Sequence, residues 1–194
     1  MTKVLITGGA GYVGAVLAEH LLDAGFSVAV VDNLMYQQQS LFHLAHHPLF
    51  SFVRGDARDE KAMQPLVRDA DIIIPLAAIV GAPACDRDPW LAESVNFGAV
   101  RMLNRLRSPN QLVVFPNTES VYGMKYGAGF CTEDDSIEPT SLYGITKVQA
   151  EKELLGTPNT ITLRLATVFG MSPRMRRDLL VNHFVYTALT DGYI

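Results

Sequence analysis

The chain has 194 residues, of which 48% are hydrophobic and 19% are charged, and its net charge is −4. This length is enough for one domain with a buried core, and the weakly acidic charge disfavours nucleic acid or an anionic membrane surface as a partner. No apolar run approaches the roughly 20 residues of a membrane helix, so we expect no membrane association. The two cysteines have no metal-type spacing, which favours reduced thiols and a cytoplasmic location.

Short apolar runs alternate with helix-length segments along the chain. Strands are predicted at residues 3–7, 27–31, 50–53, 71–76, 111–115 and 160–165, and helices at 12–24, 37–46, 59–68, 88–107 and 141–155. The strands are rich in Val, Ile and Leu without polar alternation, a pattern typical of parallel strands buried on both faces. The sequence therefore predicts an α/β fold with a doubly wound parallel sheet, the Rossmann fold.

A glycine-rich turn follows the first predicted strand. Gly9, Gly11 and Gly14 have the G-x-G-x-x-G spacing of the dinucleotide fingerprint. Gly8, Gly11 and Gly14 form a second, overlapping pattern with glycines three residues apart. A helix that begins here would point its free N–H groups at a pyrophosphate, and Asp32, which ends the second strand, would accept hydrogen bonds from an adenosine ribose. The alternative is a glycine-rich turn that binds no ligand.

A second motif begins the helix predicted at 141–155. Tyr143 and Lys147 are four residues apart, so they share one helix face. An adjacent ammonium stabilises a phenolate and lowers its pKa from about 10, which would make Tyr143 a usable base. The alternative is a packing tyrosine beside a solvated lysine.

Three histidines, His43, His46 and His47, have a spacing that a metal ion would tolerate. No carboxylate or cysteine joins them, so we interpret them as part of a surface helix and predict no metal site.

Together these motifs resemble the extended short-chain dehydrogenases/reductases, the NAD-dependent epimerase/dehydratase superfamily. The resemblance covers nearly the whole chain and rests on eight ordered segments: residues 8–14, 32–34, 55–59, 76–78, 95–98, 120–123, 143–147 and 163–170. It implies NAD as the cofactor and a nucleotide-activated sugar as the substrate. It also implies a homodimer through the helices predicted at 88–107 and 141–155, although their apolar stripes would equally fit packing against the sheet.

The resemblance also implies individual cofactor contacts. Asp32 followed by the neutral Asn33 favours NAD over NADP, and Asp56 and Ala57 would flank the adenine. Asn96 would support the active-site helix. The other expected cofactor residues are Gly8, Gly11, Tyr12, Val13, Leu76, Ala77, Ala78, Leu165 and Val168, together with Tyr143 and Lys147.

The implied catalytic residues are Thr118, Tyr143 and Lys147. Tyr143 would take a proton from a sugar hydroxyl while hydride leaves for NAD, and Lys147 would bind the nicotinamide ribose. Thr118 would hydrogen-bond the reacting oxygen, with capping of a strand end as the alternative. Members that dehydrate sugars carry a glutamate where this chain has Ser120, and the neighbouring Glu119 points differently, so dehydration is disfavoured.

A narrower resemblance links residues 115–118 and 166–182 to the GDP-heptose 4-dehydrogenases of capsule-sugar pathways. It implies oxidation of the C4 hydroxyl, with Asn182 on the substrate diphosphate and Arg174 and Arg176 beside it. A basic surface loop would explain the two arginines equally well. A nucleotide-sugar 4-epimerase and an NAD-binding module without turnover are the alternatives.

The resemblance further predicts how the chain is divided. Residues 1–170 are expected to form the NAD-binding domain. Residues 171–194 are expected to begin a truncated substrate-binding region, with the rest of that lobe largely absent.

Overall fold

The computed structural model describes residues 1–124 and 129–193. Six strands form one wholly parallel sheet in the order β3-β2-β1-β4-β5-β6, which is the Rossmann order. Their bounds are β1 Lys3–Thr7, β2 Ser27–Asp32, β3 Phe50–Arg54, β4 Ile72–Pro75, β5 Leu112–Thr118 and β6 Thr160–Leu165. The structure confirms the predicted doubly wound sheet.

Helices cover both faces of the sheet. They are α1 Tyr12–Asp23, α2 Glu60–Asp69, α3 Ala82–Arg87, α4 Pro89–Glu93, α5 Ala99–Leu106, α6 Leu142–Leu155 and α7 Leu180–Asp191. The buried apolar side chains form two large clusters. In β1, Leu5 belongs to one of these clusters, whereas Val4 and Ile6 belong to the other. This alternation explains why the strand is apolar at every position.

Three sequence predictions need correction. The helix predicted at 37–46 is only a 3-10 turn at Phe42–Leu44. The preceding chain cannot continue a helix because Leu34 and Gln37 have positive φ angles of 56° and 52°. The helix predicted at 88–107 is divided into α4, a π turn at Ser94–Gly98 and α5. The sequence prediction missed α3 and α7.

Strand β5 also continues three residues beyond its predicted end at residue 115. The described part of the loop between β5 and α6 is mostly irregular, but it contains a 3-10 turn at Glu119–Tyr122. Part of that loop, residues 125–128, lies outside the described residues. The extension matters because it carries Asn117 and Thr118 to the carboxyl edge of the sheet.

Candidate active site

A cavity of about 770 Å³ runs along the carboxyl ends of the strands. It begins at the glycine turn after β1, crosses the point where the strand order reverses between β1 and β4, and reaches the ends of β5 and β6. Ligands of open α/β sheets bind at this reversal point. The predicted residues that line it are Gly8, Gly11, Tyr12, Val13, Asp32, Asn33, Asp56, Ala57, Leu76, Ala77, Ala78, Thr118, Tyr143, Lys147, Leu165, Val168, Arg174 and Arg176.

The glycine turn requires its glycines for backbone contact. Gly8 has a φ of +70°, and a Cβ there would lie 2.5 Å from the backbone nitrogen of Ala77 after β4. A Cβ at Gly14 would lie 2.6 Å from the Cα of Gly9, so this glycine lets α1 pack closely on the turn. Helix α1 begins after Gly11 without a side-chain cap, which leaves its first N–H groups available to an anion.

Asp32 is held by three hydrogen bonds at the end of β2. Its Oδ2 accepts from the N–H of Ala10 at 3.0 Å, and its Oδ1 accepts from the N–H of Leu34 at 2.8 Å and from Nε2 of Gln38 at 3.2 Å. Ser40 donates to the carbonyl of Ala10 at 2.7 Å. The carboxylate, in a residue only 8% exposed, is thus fixed relative to the glycine turn.

Asp56 forms an ion pair at the same end of the cavity. Arg58 donates to it from Nε at 3.0 Å and from a terminal nitrogen at 2.6 Å, and these bonds hold the pKa of the Asp56 carboxyl below its ordinary value. Arg58 also donates to Ser94 and lies over the ring of Trp90. The pair therefore connects the segment after β3 to the helical run that begins with α4.

Thr118 lies at the cavity and also caps the turn that follows β5. It lines the cavity, and its Oγ1 accepts a hydrogen bond from the N–H of Ser120 at 3.2 Å, which caps the following 3-10 turn. The same Oγ1 donates to the Oγ of Ser120 at 3.1 Å. Because Ser120 is only partly buried, the Thr118 hydroxyl can turn away from it and donate a hydrogen bond to a ligand instead.

Tyr143 lies in the first turn of α6, packed beside Ile79 and Cys85. Burial raises its pKa to about 12. The cation that lowers this pKa in the structure is Arg176, and Lys147 makes no such contribution. The predicted lowering of the Tyr143 pKa by Lys147 is therefore wrong for this arrangement.

The orientation of Lys147 gives the physical reason. Its Nζ donates to the carbonyl of Pro116 at 2.8 Å and lies 3.8 Å from the centre of the Phe115 ring. Burial lowers the Lys147 pKa to about 7, with the nearby Glu151 carboxylate acting in the opposite direction. Lys147 thus lines the cavity while its ammonium is turned towards β5.

Two of the expected site residues do not line the cavity. Asn96 accepts from the N–H of Ile79 at 2.8 Å and donates to the hydroxyl of Thr146 at 3.2 Å, so it joins the segment after β4 to α6. Asn182, 5% exposed, uses its side chain within the protein: it accepts from the N–H of Gly170 at 2.9 Å and donates to Tyr12 and Arg176. The structure therefore does not bring Asn182 to a substrate diphosphate.

The arrangement of the two arginines differs. The guanidinium of Arg174 lies 4.7 Å from the centre of the Tyr36 ring, on the side of Asp32. Arg176 binds Asp178 through its Nε at 2.9 and 3.1 Å, and it interacts electrostatically with Tyr143. Both arginines therefore interact with Tyr36, and Arg176 also interacts with the expected base, Tyr143.

Comparison with known proteins now identifies the family. The model of the NAD dependent epimerase/dehydratase family matches residues 4–191. The chain belongs to this family.

Relatives within the epimerase/dehydratase family are moderately similar in sequence. A low-salt glycan biosynthesis protein of Haloferax volcanii is 31% identical over 193 residues, which are 95% of this chain and 62% of the relative. An uncharacterized UDP-glucose epimerase of Bacillus subtilis is 32% identical over 200 residues, covering 94% of this chain and 61% of the relative. The chain thus spans less than two thirds of these relatives.

A solved structure agrees with the fold. The UDP-glucuronic acid 4-epimerase of Bacillus cereus, crystallised with UDP-glucuronic acid and NAD, superposes with a TM-score of 0.83 at 26% identity. The match covers 98% of this chain and 64% of that structure.

NAD, expected from the sequence, is the cofactor of the epimerase/dehydratase family. The cavity fits it: the uncapped start of α1 suits a pyrophosphate, and the fixed carboxylate of Asp32 suits a ribose diol. Across the described residues, no group of three or more His, Cys, Asp or Glu side chains is placed so that it could hold a metal ion. Within the same part of the chain, no helix is long and apolar enough to cross a membrane.

The lining residues that sequence reasoning missed include Tyr36, Gln38, Asn117 and Asp178. The side-chain amide of Asn117 is buried and has no hydrogen-bond partner among the described residues. Adjacency to the family motifs was the available signal for Gln38 and Asn117. No sequence pattern indicated Tyr36 or Asp178, because their partners come from distant or irregular segments.

Proposed function

We propose that this chain is an NAD-dependent oxidoreductase that oxidises the C4 hydroxyl of a nucleotide-activated sugar, with a GDP-heptose-like sugar as the first candidate. The observation that carries the proposal is that Thr118, Tyr143 and Lys147 line one cavity with the glycine turn and Asp32. A site that only binds a dinucleotide needs neither the hydroxyl of Thr118 nor a base such as Tyr143. The GDP-heptose assignment rests on the narrower sequence resemblance.

The reaction needs a hydride acceptor and a base. Bound NAD supplies the hydride acceptor. Thr118 would hydrogen-bond the sugar oxygen by releasing its bond to Ser120, and Tyr143 would accept the hydroxyl proton. Because burial raises the pKa of Tyr143, the base depends on positive charge in the cavity, and Arg176 supplies part of it.

Lys147 is proposed to bind the nicotinamide ribose. Its Nζ carries three hydrogens when protonated, and the bond to Pro116 uses one of them. The remaining donors can serve a ribose hydroxyl without loss of that bond. Leu165 and Val168, at the end of β6, would contact the nicotinamide side of the site.

The substrate diphosphate is assigned to Arg176. Its planar fork already holds the carboxylate of Asp178 inside the cavity, and a diphosphate oxygen pair would fit the same fork. Residues 171–194 are proposed to begin the substrate-binding region. We further propose a cytoplasmic homodimer through α5 and α6, to be tested by light scattering.

The second candidate is a nucleotide-sugar 4-epimerase, which uses the same three side chains and returns the hydride to the opposite face. The 4-epimerases among its relatives and structural neighbours favour this candidate. A third candidate is an NAD-binding module without turnover, for which the glycine turn and Asp32 would suffice.

One experiment separates the three candidates. The protein is incubated with NAD and, in turn, a GDP-heptose, UDP-glucose and UDP-N-acetylglucosamine. NADH absorbance reports net oxidation, NMR reports the C4 epimer, and calorimetry reports binding of NAD and of each nucleotide sugar. Net NADH supports the first candidate, and an epimer without net NADH supports the second.

The matched control is Tyr143→Phe, which should abolish conversion and leave NAD affinity nearly unchanged. Strong residual turnover in this variant would show that Tyr143 is not the base. Binding of NAD without affinity for any nucleotide sugar would reject both enzyme candidates and support the module.

A further inference from the structure

Two loops from distant strands meet above the glycine turn. One follows β2 and contains Tyr36; the other, residues 170–179, follows β6 and is called the crossover segment here. Strands β2 and β6 are four positions apart in the sheet, which corresponds to about 19 Å at the usual strand spacing. The crossover segment must therefore pass back over the carboxyl edge of the sheet to reach Tyr36.

Tyr12, the first residue of α1, anchors the crossover segment. Its hydroxyl donates to the carbonyl of Gly170 at 2.6 Å, and its own carbonyl accepts from the hydroxyl of Ser172 at 2.7 Å. Asn182 donates to the Tyr12 hydroxyl at 2.9 Å and to the carbonyl of Arg176, also at 2.9 Å. These bonds fix the segment directly over the turn where a pyrophosphate binds.

Between its anchors, the crossover segment carries Arg174 to the ring of Tyr36. Both residues line the cavity that contains Gly11 and Asp32. A dinucleotide that extends from the glycine turn to Asp32 would therefore have Tyr36 and Arg174 on the side that faces away from the sheet. The tyrosine ring and the guanidinium attract each other, and the guanidinium also interacts electrostatically with Asp178.

We propose that Tyr36 and Arg174 are cofactor-binding residues that close across the cofactor groove and slow the release of NAD. This assigns Arg174 to the cofactor, in place of the substrate diphosphate expected from the sequence. Release of NAD requires the contact between the two side chains to open, whereas the anchors at Tyr12 can remain in place.

Slow release has a consequence for the reaction, and this consequence rests on the proposed function. Net oxidation moves a hydride from the sugar to NAD and a proton to Tyr143, so NADH must leave before every new turnover. Epimerisation returns both to the sugar and leaves the cofactor unchanged. A closed groove therefore favours the epimerase candidate over net dehydrogenation.

The test measures dissociation of NADH from the full chain. The protein is loaded with NADH and mixed rapidly with excess NAD, and energy transfer from Trp90, the one tryptophan, reports the loss of NADH. We expect Arg174→Ala and Tyr36→Ala each to accelerate dissociation by about fivefold, the size of effect of a partly exposed cation–π pair. The double variant should be no faster than either single variant.

Two variants serve as controls. Tyr36→Phe keeps the ring that contacts Arg174 and should therefore restore the slow dissociation of NADH that Tyr36→Ala loses. Arg101→Ala removes a comparable contact, 5.2 Å from the guanidinium to the Phe97 ring, at a position that does not line the cavity, and it should leave the rate unchanged.

Unchanged dissociation in Arg174→Ala, or additive effects in the double variant, would overturn the proposal. Failure of the protein to bind NADH would overturn it as well. Absence of turnover with every sugar would instead count against the proposed function alone, because the dissociation measurement uses no sugar.

Discussion

Lys147 Nζ lies 3.8 Å from the centre of the Phe115 ring, beneath the cavity floor that its stem helps to form. Burial lowers the Lys147 pKa from 10.5 to about 7. In the unfolded chain the amine stays protonated up to its ordinary pKa, so between pH 7 and 10.5 the unfolded state binds more protons than the folded state. Stability must therefore rise with pH in this window.

The corresponding variant is Lys147→Met, which keeps the length of the stem and removes the charge. One pKa unit corresponds to about 1.4 kcal/mol, so the free energy of unfolding of the unmodified protein should rise by about 2 kcal/mol more than that of the variant between pH 7 and 9. Urea denaturation at the two pH values measures this. Lys152→Met, an exposed position on the same helix, should keep the full rise. Parallel pH profiles for the unmodified protein and Lys147→Met would contradict the lowered pKa.

The buried ion pair between α6 and β6 gives a second prediction. Glu151, 1% exposed, accepts hydrogen bonds from Nε of Arg164 at 3.1 Å and from the hydroxyl of Thr162 at 3.0 Å. Glu151→Gln should lower the free energy of unfolding by about 3 kcal/mol, because it leaves the arginine charge uncompensated in a largely buried site. Urea denaturation at pH 7 is the measurement.

The matched comparison is the exposed pair of Glu60 with Arg105. Glu60→Gln should lower the free energy of unfolding by less than about 1 kcal/mol, because solvent screens the charges of a surface pair. Equal losses in the two variants would mean that burial does not determine the strength of the Glu151 pair.

Gln38 should influence which dinucleotide is bound. Its Nε2 donates to Asp32, and its Oε1 accepts from the N–H of Tyr36 at 3.2 Å, so the amide fills the space beside the carboxylate. Gln38→Ala should weaken NAD binding and weaken NADP binding less. The preference for NAD should narrow by about fivefold, the size of effect of a typical net hydrogen bond of about 1 kcal/mol. Calorimetric titration with each dinucleotide measures the ratio.

Gln39→Ala is the control for this prediction. The residue is the same type one position later, it is exposed, and it does not line the cavity. The NAD preference should stay unchanged in this variant. A preference that is equally unchanged in Gln38→Ala would show that Asp32 selects the ribose without help.

Asp178 should compete with a diphosphate for Arg176. The guanidinium holds the pKa of the Asp178 carboxyl at about 2, so this carboxylate is charged throughout the working pH range. Asp178→Asn should tighten GDP or UDP binding by about threefold, the scale of a largely exposed ion pair. Calorimetry with the free nucleoside diphosphates measures the change, and Asp191→Asn, outside the cavity, should have no effect. Unchanged affinity in Asp178→Asn would remove Arg176 from the diphosphate site.

The sequence predicted those features that depend on neighbouring residues. The glycine turn and the carboxylate that ends β2 are short-range patterns, because turn geometry and strand burial determine which residues can occupy them. Their positions in the cavity followed from the parallel sheet alone.

Features that depend on distant pairing were not predictable in this way. Asn182 turns to Tyr12, 170 residues away in sequence, and no local pattern indicates this partner. Lys147 has the predicted spacing from Tyr143, but its ammonium finds the carbonyl of Pro116 and the ring of Phe115. The helix predicted at 37–46 failed because side chains such as Gln38 and Asp32 bind the backbone N–H groups of their own loop.

The π turn at Ser94–Gly98 lies between α4 and α5 within one helical run. A π turn holds one more residue than an α-helical turn, and here that wider turn contains Asn96. Deleting one residue within this turn would convert it to an ordinary α-helical turn and keep α5 in its present orientation. Val100 and Leu103 would then stay in the core, whereas the same deletion inside α5 would rotate the residues after it by about 100° and should be far more damaging.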